Sequence, residues 1–271
     1  MARPASGTVT AAVIAVPTPA IPFPTFSTLF RTLVPSLSKE VREEIAPFIG
    51  PVNASRSFNA TSITLLAIGH PPDSVLLVNV GTPRPESLEA MHLAAKSAVR
   101  HNVPWVLDPV AAGVIPWRDK MIMGLLALQP TVIRGNASEI MALAGLGKGG
   151  KGVDSTDSSD AALEAAVKLA REYNTIVCVT GKTDYATDGK EILACTGGSI
   201  KATLVVGTGC SLSAMVAAFV AQTEHPLEAV ISACALAKRA AQQAAGVARG
   251  PGSFAVAYID ALNLLQAKDF Y

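Results

Sequence analysis

The sequence has little charge, few aromatic side chains and few cysteines. Charged residues make up 16% of the 271 positions and aromatic residues 5%, and 22 Lys and Arg nearly balance 21 Asp and Glu. A net charge of +1 gives no sign of the clustered basic surface that binds a polyanion, so nucleic acid is not an expected partner. Half of the residues are apolar, which excludes wholesale disorder and predicts one large domain or two small ones.

The four cysteines and four histidines indicate neither a disulfide framework nor a zinc site, because the cysteines lie far apart and form no Cys-x-x-Cys pair. Cys178, Cys195 and Cys234 lie among apolar or small residues and are expected to be inert core thiols. The clean apolar run at 214–221 is far shorter than the ~20 residues that span a bilayer, so we expect no membrane partner.

The first forty residues, 1–40, form a poorly specified tail. No charge occurs between Arg3 and Arg31, no acid precedes Glu40, and four prolines interrupt residues 17–24. Three interpretations stay open: a signal peptide, an organelle transit peptide, or a loosely ordered tail. The cytoplasm is the expected compartment, or an organelle if the tail is a transit peptide.

From position 75 onwards, short apolar runs alternate with longer amphipathic stretches, the first of which Pro85 opens. Apolar strands that alternate with helices predict an α/β fold with a mostly parallel central sheet and helices on both faces. The predicted strands are 75–80, 105–107, 131–133 and 175–179.

Polar and charged residues follow each predicted strand directly. In a parallel sheet, ligands bind beyond the carboxyl ends of the strands, so these residues would share one edge. Loop positions are polar in any protein, and the pattern alone does not define a site. The residues in question are Gly81 and Thr82, Asp108 and Pro109, Arg134 to Asn136, and Thr180 and Gly181.

Residues 207–210, Gly-Thr-Gly-Cys, precede a predicted helix of small residues. Two glycines allow the backbone to turn closely around a ligand, and the helix presents unpaired N–H groups and the positive end of its dipole. The segment therefore predicts an anion site for a transferring phosphoryl group, or else merely a close-packed turn. In the first case Cys210, at the first turn, would have a lowered pKa and would accept a proton from an attacking hydroxyl.

Asn136 and Glu139 have the spacing of a capping box, in which each side chain binds the other residue's backbone N–H. Glu139 and Asp108 would also supply the carboxylates for a hydrated magnesium ion, with Arg134 facing the phosphates. Capping alone explains Asn136 and Glu139 equally well, so both interpretations stay open.

An ordered series of motifs between Asn79 and Leu262 resembles the hydroxyethylthiazole kinase family. These motifs are 106–113 (VLDPVAAG), 130–140 (PTVIRGNASEI), 151–155 (KGVDS), 179–181 (VTG) with Asp184, 207–210 (GTGC), 250–254 (GPGSF) and 260–262 (DAL).

The resemblance implies a single ribokinase-like domain over 41–271. It also implies an ATP-dependent kinase that phosphorylates the hydroxyl of 4-methyl-5-(2-hydroxyethyl)thiazole, a step of thiamine biosynthesis and salvage. Magnesium would be required, and the protein would be a homotrimer with acceptor sites between subunits.

The resemblance also implies roles for individual residues. ATP would be bound by Arg134 and Thr180, with Asn136 and Gly181 beside them, and magnesium by Asp108 and Glu139. Gly207 would line the acceptor site, while Thr208, Gly209 and Cys210 would form the catalytic bend, with Cys210 where related sugar kinases place an aspartate base.

The match departs from the family before position 75. Residues 65–69 fit the end of a family helix, but residues 70–74 stand where the family has Gly-Ala-Ser-Pro-x-Met, and Ser74 takes the place of the methionine that contacts the thiazole. Two alternatives therefore stay open: a kinase for another small alcohol, such as a pyrimidine or a sugar, and a nucleotide-binding protein without turnover.

Overall fold

A computed structural model describes residues 65–68, 75–81, 83, 85–145, 159, 161–221, 223–266 and 269. Ser74 lies outside the described residues, as does the predicted boundary between the tail (1–40) and the domain (41–271). Both therefore stay predictions. None of the helices in the described ranges is long and apolar enough to cross a bilayer.

Seven strands of the described chain form one sheet, in which spatial order follows chain order. The strands are β1 (Leu65–Ile68), β2 (Val75–Asn79), β3 (Trp105–Asp108), β4 (Val132–Asn136), β5 (Ile176–Thr180), β6 (Asp184–Thr187) and β7 (Ile192–Cys195). The central strands β2 to β5 are parallel, as predicted, whereas β1 at one edge and β6 and β7 at the other are antiparallel.

Helices cover both faces of the sheet. They are α1 (Pro85–Arg100), α2 (Pro116–Leu126), α3 (Ala137–Leu143), α4 (Leu163–Tyr173), α5 (Thr208–Val220), α6 (Pro226–Val247) and α7 (Pro251–Leu264), with a 3-10 helix at Ile200–Leu204. Proline at the first turn of α2, α6 and α7 favours those starts, because its missing N–H needs no partner there.

Alternate strand residues separate the core into two layers. Val106 and Val132 pack on one face with α5, α6 and α7, and Leu107 and Ile133 pack on the other with α1 to α4. Because side chains alternate along a strand, burial of both faces requires a continuous apolar run. The helices on both faces of a mostly parallel central sheet confirm the predicted ribokinase-like α/β arrangement.

The edge strands differ from the expectation. Residues 65–68, matched above to a helix end, form a strand that pairs antiparallel with β2, Leu65 opposite Val78 and Ile68 opposite Val75. A short apolar run is compatible with helix or strand, and pairing with an available edge decides between them. The β6–β7 hairpin went unpredicted because Asp184–Thr187 mixes polar and apolar residues.

Candidate active site

Asp108 ends β3 and lies at the centre of the carboxyl edge of the sheet. Its side chain is buried, and its Oδ2 accepts hydrogen bonds of 2.8 Å from Asn79 Nδ2 and 2.8 Å from Ser213 Oγ. Asn79 stands opposite Asp108 in the parallel register, while Ser213 belongs to α5. These bonds place the amino-terminal part of α5 beside the ends of β2 and β3.

The Asp108 carboxyl has an unusual pKa. Burial raises it from the usual 3.8 to about 6, with a further increase from the charge of Glu139, while Arg134 and the hydrogen bonds from Ser213 and Asn79 lower it. An acid held in this way becomes fully ionised when a cation binds beside it.

Arg134 lies on β4 with its guanidinium buried below the same edge. Its Nη2 donates to Thr180 Oγ1 at 2.6 Å, and Thr180 in turn donates to the carbonyl of Gly135. Burial disfavours the charge, but the carboxylates of Asp108 and Glu139 raise the pKa of Arg134 above its usual value. A permanent positive charge therefore faces the two acids.

Gly209 and Arg134 are in close contact. A Cβ built at Gly209 would lie 2.9 Å from Arg134 Nη1 and 3.3 Å from Nη2. Only a glycine leaves room for the guanidinium beneath the first turn of α5. The structure thus brings the 207–210 bend next to Arg134 and Asp108; the strand-end pattern had indicated that Arg134 and Asp108 share one edge, but it did not include the bend.

The start of α5 depends on an unusual backbone conformation. Gly207 precedes the helix with φ of 97°, a left-handed value that favours glycine, and has no side chain to cap the first N–H groups. The hydroxyl of Thr208 donates to the carbonyls of Ala202 and Val205, which anchors the bend to the 3-10 helix. What the bend offers a ligand is therefore backbone N–H groups, not the Thr208 hydroxyl.

Cys210 is half-buried in the first turn of α5, but its predicted low pKa is wrong. Burial raises the pKa of the thiol above its usual value and the charge of Asp108 raises it further, whereas a hydrogen bond with Asn79 and the charge of Arg134 lower it. The helix-terminus argument considered only local sequence, and burial beside an acid outweighs it. The predicted inert thiols, Cys178, Cys195 and Cys234, are all buried.

Glu139 and Asn136 form the predicted capping box. Asn136 Oδ1 accepts the Glu139 N–H at 2.9 Å, and Glu139 Oε2 accepts the Asn136 N–H at 2.8 Å. The other oxygen, Oε1, accepts the Ala111 N–H at 2.9 Å. Glu139 therefore also ties the loop after β3 to the start of α3, a role that the sequence pattern did not reveal.

Thr180 and Gly181 continue the edge beyond β5. Thr180 lies opposite Asn136 in the register, and the Gly181 N–H donates to Asp184 Oδ1 at 2.9 Å. The Gly181 carbonyl accepts a hydrogen bond from Lys238 at 3.0 Å. Of the predicted site residues, only Ser74 is not placed by the described structure.

Sequence reasoning missed three residues that hold the site. Asn79 ends the first apolar run and could have been included by the strand-end rule. Ser213 follows Gly209 by four positions and therefore shares its helix face. Lys238 lies in the middle of a long helix and carries no local signal.

A parallel sheet whose carboxyl edge joins a buried arginine, two acids and the glycine-led start of a helix defines a small-molecule kinase of the ribokinase-like α/β class. A solved structure of that class, hydroxyethylthiazole kinase from Pyrococcus horikoshii, matches with a TM-score of 0.64 and 36% identity over 70% of this chain and 71% of its own. The chain belongs to the hydroxyethylthiazole kinase family, whose model matches residues 60–268.

Curated relatives agree with this assignment. The hydroxyethylthiazole kinase of Citrobacter koseri is 47% identical over 226 residues, which are 78% of this chain and 86% of the relative. That of Tolumonas auensis is 52% identical over 196 residues, or 72% of this chain and 73% of the relative.

Proposed function

We propose that the protein transfers the γ-phosphoryl group of ATP to the hydroxyl of 4-methyl-5-(2-hydroxyethyl)thiazole, a step of thiamine biosynthesis and salvage. One observation carries the proposal: the first turn of α5, at Gly209, lies against the Arg134 guanidinium, and the same helix contacts the buried Asp108 through Ser213. The bacterial relatives that carry the name of this activity support the choice of acceptor.

The bend at 207–210 holds the migrating phosphoryl group. Backbone donors at a helix start are already oriented, so they stabilise developing negative charge without reorganisation. Arg134, directly beneath this turn, adds a permanent positive charge and, with Thr180, Asn136 and Gly181, binds the phosphates of ATP. Because the transition state of phosphoryl transfer is loose, orientation and charge neutralisation supply most of the rate enhancement.

Asp108 and Glu139 fit a hydrated magnesium ion. Magnesium retains several waters and needs only one or two carboxylates together with substrate phosphates. The pKa of Asp108 is raised because the charge of Arg134 does not fully offset the cost of burying the carboxylate, so a bound cation would stabilise its ionised form. When bound, magnesium would neutralise phosphate charge.

Cys210 contacts the acceptor hydroxyl and takes its proton. Only the thiolate can accept that proton, and because burial raises the pKa of the thiol, only a small fraction of Cys210 is in the thiolate form at neutral pH. A modest base suffices where bond formation to the acceptor is late.

The acceptor binds beside Gly207, with Ser74 contributing to its wall. The neighbouring 3-10 helix and α7 pack together and expose apolar side chains, among them Ile200 at 78% and Val256 at 63%, and Val206 next to Gly207 is 91% exposed. Exposed apolar surface of this kind supports a homotrimer in which another subunit covers the acceptor side. Light scattering in solution tests this, and a monomer at micromolar concentration would contradict it.

The nucleoside of ATP binds in a cavity near the other end of the site. The cavity has a volume of about 330 Å³ and is lined by Cys195, Thr196, Ala235, Lys238, Arg239, Gln242 and Asp269. Lys238 connects it to the Gly181 carbonyl and thus to Thr180.

A kinase of this kind works in the cytoplasm, or in an organelle if residues 1–40 direct it there; the location of a fluorescent fusion distinguishes the two.

A kinase for another small alcohol is the second candidate, because residues 70–74 differ from the family pattern around the acceptor. Incubation with MgATP and the thiazole, followed by mass spectrometry of the phosphate ester, tests the proposal. A parallel panel of pyrimidine and sugar alcohols tests the second candidate. ATP binding without any ester would instead indicate a protein without turnover.

A further inference from the structure

Lys238, in the middle of α6, is a buried lysine whose three interactions all reach the turn between β5 and β6. Its Nζ lies 3.2 Å from Asp184 Oδ1 and donates to the carbonyls of Gly181 at 3.0 Å and Lys182 at 3.1 Å. The side chains of Lys238 and Asp184 are 10% and 5% exposed. A single ammonium group therefore holds the whole turn.

Asp184 fastens the same turn from its other end. Its Oδ1 also accepts the Gly181 N–H at 2.9 Å. Burial raises the pKa of Asp184, and the Lys238 charge opposes that increase. A buried ion pair contributes little net stability compared with an apolar pair, so stability alone does not account for placing one here.

The turn leads directly to the phosphate-binding residues. Thr180 precedes Gly181 and accepts the 2.6 Å hydrogen bond from Arg134 Nη2. A shift of the Gly181 backbone would therefore move the hydroxyl that orients the guanidinium. Lys238 also lines the cavity proposed for the nucleoside, but its ammonium has no hydrogen bond with Arg134 among those described, so its effect on Thr180 and Arg134 is transmitted through the turn.

Packing restricts the turn and the lysine to these positions. A Cβ at Gly181 would lie 2.9 Å from Ser159 Oγ, so the turn has no space to move toward that side. Gly198, with φ of 82°, leaves room for the Lys238 stem, since a Cβ there would lie 3.3 Å from Lys238 Cγ. The stem thus passes beneath the glycine loop after β7 to reach the turn.

We propose that Lys238 is a positioning residue for ATP: it holds the 181–184 turn so that Thr180 and Arg134 meet the phosphates, and it does so without acting on the acceptor. This inference rests on the proposed function in taking ATP as the nucleotide, but not on the identity of the alcohol.

The test is the substitution Lys238→Met, which keeps the stem and removes the ammonium. We expect the KM for ATP and the Kd of a non-hydrolysable ATP analogue to rise about tenfold or more, the size of one lost charge-assisted hydrogen bond. The KM for the alcohol should stay within about twofold. Calorimetry measures the Kd of the analogue directly, so the test remains valid even if the thiazole is not the acceptor.

Lys168→Met is the control. Lys168 in α4 also donates to a backbone carbonyl, that of Ala144 at 2.7 Å, which lies at the end of α3 away from the turn. Lys238→Met should lower Tm, and of the two substitutions only Lys238→Met should weaken ATP binding. An equal rise in the KM for ATP in both variants would reduce Lys238 to a structural role and overturn the inference.

The double variant Lys238→Met/Asp184→Asn separates stability from positioning. Lys238→Met alone leaves the Asp184 carboxylate buried without a partner, and the double variant removes that charge as well. The Tm of the double variant should therefore be closer to that of the parent protein, while its KM for ATP stays high. Recovery of ATP binding together with Tm would overturn the inference. If Lys238→Met alone fails to fold, the double variant provides the same readout.

Discussion

Ser213 Oγ donates to Asp108 Oδ2 at 2.8 Å, and this bond connects residues 105 positions apart. It fixes the carboxylate against α5, the helix whose start we propose as the phosphoryl site. A change in the orientation of Asp108 should therefore also shift α5, and a shift of α5 should change the orientation of Asp108.

Ser213→Ala should lower kcat/KM about tenfold, because it removes one hydrogen bond to a charged buried group. Since that bond lowers the pKa of Asp108, its loss also makes the acid harder to ionise. Steady-state kinetics at pH 7.5 measures the effect. Ser97→Ala, at a buried serine of α1, is the control and should leave kcat/KM unchanged.

Gly209→Ala should raise the KM for ATP about tenfold or more, because the new Cβ would lie 2.9 Å from Arg134 Nη1 and displace the guanidinium. Gly246→Ala in α6 is the matched control, since a Cβ there meets nothing within 4 Å. It should raise the free energy of unfolding by up to about 1 kcal/mol and leave ATP binding intact. Equal kinetics in the two variants would argue against the close contact.

In the absence of magnesium, the free energy of unfolding should decrease as the pH rises through the titration of Asp108. A carboxyl whose pKa is raised on folding stabilises the protein below its unfolded value of 3.8, and that contribution is lost as pH rises toward about 6. The shift corresponds to about 3 kcal/mol. Urea unfolding in chelator from pH 4 to 7 should show a loss larger by this amount in the parent protein than in Asp108→Asn, because Asp184 titrates in both; parallel curves would refute the prediction.

Iodoacetamide should label Cys210 slowly at pH 7, with a rate that increases steeply only above pH 9. Burial and the Asp108 charge raise the pKa of the thiol, and only the thiolate reacts. Mass spectrometry of the native protein reads out the labelled position, and Cys210→Ala should remain unlabelled because the other three thiols are buried. A labelling rate whose pH dependence has its midpoint near pH 7 would instead support the lowered thiol pKa that was predicted from the position of Cys210 at the start of the helix.

Much of the sheet could be predicted because strand and helix patterns are local. The apolar runs 75–80, 105–107 and 175–179 indicated parallel strands, which the structure has at 75–79, 105–108 and 176–180, and a parallel arrangement brings their carboxyl ends to one edge. The capping box at Asn136 and Glu139 was equally visible. β1 was not predicted, since a four-residue apolar run has no period of its own.

The sequence alone determined which residues reach the edge of the sheet, because the hydrophobic period that marks where each strand ends depends on neighbours a few positions apart. Only the tertiary structure decided how those residues behave: which serine orients Asp108, how closely Gly209 lies over Arg134, which lysine holds the turn after Thr180, and that the Cys210 thiol becomes a weaker acid. These properties arise from burial and from partners distant in the chain, and the energy of a charge changes with its surroundings more than with its position in the sequence.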